Sequence, residues 1–203
     1  MGSEMCIRDR DSALAVWGPW HRHVAASCAN LGLVYQEQGQ YARALELHQR
    51  ALEIEIRVCG HDHLDVAKSY GNMAIVYNRQ GKYEQALDYH QKSLSIKITT
   101  LGSDHLDVAK SYNNIGVVHE KLADFEKALF HHKKALEIRT RVVGQDHLDV
   151  AKSYNNIGSV YYSQGKYDDA LDYYQKSLNI KITAVGSNHL DVATSYNLSL
   201  IHI

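Results

Sequence analysis

Proline is almost missing from this chain of 203 residues: Pro19 stands alone, so long stretches carry no residue that would break a helix. Cysteine is scarce too. Cys6, Cys28 and Cys59 show no paired spacing and no C-x-x-C, which excludes a disulfide framework or a zinc knuckle and leaves reduced thiols in a cytoplasmic setting as the expectation. No run of eighteen apolar residues occurs, so no helical span of a bilayer is expected. Net charge is also small, at -1, and the long-range field that non-specific binding to nucleic acid or a membrane surface needs is lacking. What is present is a foldable chain, with 45% hydrophobic and 22% charged residues, enough to bury a core. Its thirteen glycines recur at regular positions, and together with the shortage of proline they point to an all-α fold.

The two ends read differently from the rest and are set apart before the fold is considered. Met5-Cys6-Ile7-Arg8-Asp9-Arg10 matches the translation of ATG TGT ATA AGA GAC AGR, a transposon-end adapter used in sequencing libraries, and Gly2-Ser3-Glu4 fits its upstream bases. Leu198 to Ile203 matches CTG TCT CTT ATA CAC ATC, the reverse complement of the same oligonucleotide. The expectation is that residues 1–10 and 198–203 are adapter-derived and that the biological sequence, Asp11 to Asn197, belongs to a longer parent.

Self-similarity dominates what remains. His-Leu-Asp-Val-Ala begins at His63, His105, His147 and His189, a constant step of 42, and the repeats from His63 and His147 agree at 29 of 42 positions. A more divergent repeat starts at His21. The expected organisation is residues 11–20 as the tail of a preceding repeat, four repeats at 21–62, 63–104, 105–146 and 147–188, and a truncated fifth at 189–197. Within a repeat, Val108, Tyr112, Ile115, Gly116 and His119 step by three and four along one helical face. A glycine such as Gly81 or Gly165 then ends the first helix, and Tyr83, Ala86, Leu87, His90, Leu94 and Ile98 form the stripe of a second. Asp104 is placed to cap the following helix, with Asp107 near the positive end of its dipole. Neither helix can bury its stripe alone, so stability must come from stacking of neighbours.

These residues carry a family resemblance. Tyr154, Ile157-Gly158, Tyr161, Gly165, Tyr167, Ala170-Leu171, Tyr174 and Ser177-Leu178 look like the tetratricopeptide consensus, and the long repeat with H-x-D-V-A-x-x-Y-N-N-I and G-K-Y-x-x-A-L resembles kinesin light chains. The resemblance covers Asp11 to Asn197. It implies a helix-turn-helix solenoid wound as a right-handed α-α superhelix. Three positions depart from the pattern: Ala74 for the first-helix glycine, Ala123 for the turn glycine, and Cys28 for a tyrosine.

The resemblance also implies where a ligand sits: on the inner wall built by the first helices, at their second, fifth, sixth, ninth and thirteenth consensus positions. The sixth is Asn30, Asn72, Asn114 and Asn156, and the fifth adds Asn113, Asn155 and Asn197. Carboxamides donate and accept, which suits an extended peptide backbone. The second is Lys68, Lys110 and Lys152, the ninth includes Val117 and Ser159, and Arg79 and Lys121 add positive charge partly offset by Glu37 and Glu120. The expectation is a scaffold that holds a protein or peptide partner, preferring acidic residues. The competing reading of the asparagines and lysines is a solvated face copied along with the repeat.

The thirteen histidines include His61-Asp62-His63 and His131-His132, but equivalent residues of stacked repeats should lie roughly 8 to 10 Å apart, too far for one zinc ion. They read as loop or helix-start packing residues, and no metal or other cofactor is expected. Tyr70, Tyr112, Tyr154 and Tyr196 read as interhelix filler with a hydroxyl at the rim. No nucleophile with a positioned base, phosphate loop or small-molecule substrate site is evident, so the chain is read as no enzyme. The alternative is the sensor or docking arm of a larger signalling NTPase or effector enzyme whose catalytic domain lies elsewhere. RNA recognition by helical repeats would want a basic, aromatic inner wall, which is not offered.

Overall fold

The computed structural model describes residues 11–12 and 15–185. The adapter-like ends, the fifth repeat and Asn197 lie outside the described residues. Among those described there is no strand. Residues 11–12 and 15–17 are helical, and eight longer helices follow: α1 Arg22–Glu37, α2 Tyr41–Cys59, α3 Leu64–Arg79, α4 Tyr83–Leu101, α5 Leu106–Lys121, α6 Phe125–Val143, α7 Leu148–Ser163 and α8 Tyr167–Val185. The first helix of each pair has 16 residues and the second 19. The chain forms two compact units that divide after Gly102.

Each first helix is started by the histidine of the repeat, and the expectation for Asp104 is corrected here. His21, His63, His105 and His147 have extended backbone, and each Nδ1 accepts the N–H two residues on, at 3.1 to 3.3 Å. An imidazole nitrogen with a free lone pair thus does the work usually given to a serine or aspartate oxygen at this position. Asp104 instead accepts from Arg141 Nη1 at 2.6 Å. Asp65, Asp107 and Asp149 occupy the first turns, where carboxylates are favoured by the helix dipole.

Inside each pair the two helices meet through a small residue facing a ring. A Cβ added at Gly32 would lie 2.7 Å from His48, at Gly116 2.8 Å from His132, and at Gly158 2.8 Å from Tyr174. In the second repeat the corresponding residues are Ala74 and His90, both buried. Serines tie the same interface: Ser93 Oγ donates to the Ala67 carbonyl at 2.7 Å and Ser177 Oγ to the Ala151 carbonyl at 2.8 Å.

The apolar core then passes from pair to pair within each unit. In the first unit, Leu52 of α2 joins Val66, Ala67 and Met73 of α3 and Ile96 of α4 in one cluster. In the second, Leu136 and Val143 of α6 pack against Val150 and Ala151 of α7 and Ile180 of α8. The aromatic residues fill the spaces beside these clusters, as with Tyr70 and Tyr77 against Tyr89 and Tyr154 and Tyr161 against Tyr173.

Ala123 sits at the turn where the other repeats carry glycine and keeps the left-handed conformation, with φ at 55°. A Cβ is disfavoured there, and glycine is released from that conflict at some entropic cost. Ala123→Gly is therefore expected to raise the unfolding free energy by about 0.5 to 1 kcal/mol, read as a higher urea midpoint with unchanged helix content.

Neither ring nitrogen of the buried His48 or His132 has a hydrogen-bond partner. Burial holds the pKa of His48, His90, His131 and His132 down to about 4. The folded protein thus keeps these rings neutral at a pH where an unfolded chain would protonate them. Their contribution is complete above pH 6.5 and is lost as pH falls toward 4. Glu55, raised to about 7, works in the opposite direction, but it is one group against four. The urea midpoint is expected to fall between pH 6.5 and 4, and a His48→Leu/His132→Leu variant to show a shallower fall.

Candidate peptide-binding face

Hydrogen bonds set the first helices of successive pairs side by side. In the first unit Arg79 Nη2 of α3 donates to Glu37 Oε1 of α1 at 2.8 Å, and Arg22 of α1 reaches Asp65 of α3 at 3.6 Å. In the second unit Asn156 Nδ2 of α7 donates to Asn113 Oδ1 of α5 at 2.6 Å, and Ser159 Oγ donates to Glu120 Oε1 at 2.9 Å. The thirteenth positions of neighbouring first helices thus meet in the first unit, and in the second unit the sixth position meets the fifth and the ninth meets Glu120 at the twelfth.

Much of the predicted chemistry is already partnered by the protein itself. Lys68, Lys110 and Lys152 each lie within 4.0 Å of the aspartate three residues before, at 3.3, 4.0 and 2.9 Å. Their side chains remain 72%, 70% and 66% exposed. Surface pairs of this kind contribute about 0 to 1 kcal/mol, little enough for an incoming carboxylate to compete. Asn72, Asn113, Asn114, Asn155, Asn156, Val117 and Ser159 are half-buried, and Arg79 and Lys121 are exposed. Asn30, at the same position in the first repeat, is exposed.

Sequence reasoning missed the second helices' share of this face. At the 42-residue step, Glu55, Lys97, Arg139 and Lys181 interrupt an apolar stripe with charge, a visible but unread signal. Arg139 is buried, and its Nη1 donates to Ser153 Oγ at 2.6 Å and to the Asp149 carbonyl at 3.3 Å. In the first unit the corresponding Glu55 lines a cavity of about 420 Å³ between α1, α3 and the end of α2, along with Lys68 and Asn72.

Cys59, His63 and Asp65 place potential metal-ligating atoms within 4.8 Å of one another, a grouping the sequence reading did not foresee. His63 Nδ1 is occupied by the Asp65 N–H and the Asp65 carboxylate by Arg22 and Lys68. The same histidine and aspartate recur without cysteine at His105 and Asp107 and at His147 and Asp149. Helix capping therefore accounts for two of the three residues.

The tetratricopeptide repeat family model matches residues 23–99, 65–141, 107–183 and 149–199. The chain belongs to the tetratricopeptide repeat family. No curated protein matches it in sequence. Among solved structures, BtubC (BKLC) from P. vanneervenii is similar, with a TM-score of 0.83 and 23% identity over 98% of this chain and 80% of its own. A Podosopora anserina protein of nearly identical tetratricopeptide-like repeats, assigned as a kinesin light chain, gives a TM-score of 0.75 and 18% identity over 90% and 87% of the two chains. The apo form of RapI gives 0.72 and 24% over 86% and 61%. At these identities the shared property is the tetratricopeptide solenoid fold. No helix among the described residues is long and apolar enough to cross a membrane.

Removing the guanidinium of Arg139 leaves Ser153 and the Asp149 carbonyl without their charged donor. Arg139→Ala is expected to lower the unfolding free energy by about 1.5 to 3 kcal/mol. Arg141→Ala, which breaks an exposed pair with Asp104 and Glu137, should have a much smaller effect on the same denaturation curve.

Proposed function

We propose that this tetratricopeptide chain is a protein–protein interaction scaffold that lays an extended partner segment across its first helices, as a kinesin light chain-like adaptor, and favours acidic residues in that segment. The observation that carries the reading is the repeated lysine at the second position, solvated and paired at the surface to the aspartate of its own turn. A partner carboxylate displaces that weak surface pair with a stronger charge-assisted contact and adds hydrogen bonds from the half-buried carboxamides beside it. Charge-assisted contacts contribute about 1.5 to 3 kcal/mol and neutral ones about 0.5 to 1.5, so several together reach the roughly 8 kcal/mol of micromolar binding. No catalytic step is assigned to the chain.

A peptide array probed with wild type and with Lys110→Gln/Lys152→Gln tests this. Wild-type hits should be enriched in Asp and Glu, and the variant should bind them at least about tenfold more weakly, as expected from losing two such contacts. Hits without acidic enrichment, or hits that bind the variant equally well, would remove these lysines from the site.

A further inference from the structure

The groups around Glu55 set it apart from its equivalents. Lys97, Arg139 and Lys181 are cations, and Arg139 donates to the serine hydroxyl of the next first helix. Glu55 reverses the charge: Ser69 hydrogen-bonds to its carboxyl, while Oε2 is buried with no partner. The nearby cations compensate it only in part, because Lys68 and Arg22 lie against Asp65 at 3.3 and 3.6 Å. Burial, reinforced by Asp65 and opposed by Ser69 and Lys68, raises the Glu55 pKa to about 7. An acidic group in this condition gains more from an arriving cation than a solvated one would, since the ligand supplies both the missing charge and the missing donor.

The surroundings narrow the occupant. The cavity offers apolar surface from Ala29, Leu33 and Val58 and carboxamides from Asn30 and Asn72. Apolar walls suit an alkyl stem, which long cationic side chains bury while the charged head finds a polar site. Ser69 already donates to the carboxyl and Oε2 is buried, so the side-by-side approach to both oxygens that the guanidinium fork of arginine uses is obstructed, and a compact ammonium fits better. The terminal torsion of a glutamate is broad and roughly two-fold, so either oxygen can turn toward the cavity.

We infer that this cavity is a lysine-selective subsite: a lysine of the partner segment inserts here, its ammonium against Glu55 and its stem along Leu33 and Val58. The inference rests on the reading that the chain holds an extended partner segment, and it adds that the segment carries a basic residue at the joint between the first two repeats.

The test is chemical-shift mapping of the isotope-labelled full chain with the blocked pentapeptide Ala-Gly-Lys-Gly-Ala and its counterpart with glutamine in place of lysine. The lysine peptide should shift the side-chain amides of Asn30 and Asn72 saturably and lower the Glu55 carboxyl titration point. Glu55→Gln, whose amide mimics the neutral carboxyl, should weaken it at least about tenfold. Glu55→Lys, which installs the residue type of two other repeats, should abolish it. Circular dichroism confirms that both variants keep their helix content. Equal shifts from the two peptides, or undiminished lysine-peptide binding by a folded variant, would overturn the subsite. The array above turns on Lys110 and Lys152, which this peptide does not need, so the acidic preference and the lysine subsite can fail separately.

Discussion

Close approach of the two helices in a pair, made possible by a small residue under a ring, is the contact on which the rest of the structure depends. Gly32, Gly116 and Gly158 leave room for His48, His132 and Tyr174, and within each unit the earlier second helix also packs on the following pair. Helices of 16 to 19 residues are marginal alone in water. Their stability comes from clusters such as Leu52 with Val66 and Ile96, which no single pair contains. The constraint is stacking, and it propagates from neighbour to neighbour.

The polar face follows from the same repetition. In the second, third and fourth repeats one histidine caps, one aspartate faces the dipole, and one lysine returns to that aspartate; the first repeat keeps only the histidine. The lysines are therefore committed only weakly, whereas Asn113 with Asn156 and Glu120 with Ser159 link neighbouring helices. Where one copy departs from the pattern, the consequence is chemical. A carboxyl at Glu55 among equivalents that are cations changes what that joint can hold, and Ala123 keeps a turn conformation that its side chain opposes.

Most of the fold was legible in the sequence because a constant step of 42 exposes the same stripes repeatedly. The residues named for the first and second helices, from Val108 to His119 and from Tyr83 to Ile98, are buried or half-buried as their spacing required. The cap was misassigned to Asp104 because oxygen caps are the usual expectation, while an imidazole acceptor leaves no composition signal. The partners of the candidate site were harder to see. Asn113 and Asn156 are 43 residues apart, and which atoms of two adjacent first helices touch depends on their separation and tilt. The pairing of Lys68, Lys110 and Lys152 with aspartates three residues earlier was readable from spacing alone, and so was the lone acid at Glu55 on an otherwise apolar stripe.

The most direct measurement is far-UV circular dichroism with urea titration of two fragments, residues 63–102 as one helix pair and residues 21–102 as two. If stability resides in stacking, the single pair should show little helix and no cooperative transition, and the two-pair fragment should be helical and unfold cooperatively. A single pair that is fully helical and unfolds in a sharp transition of its own would contradict the account.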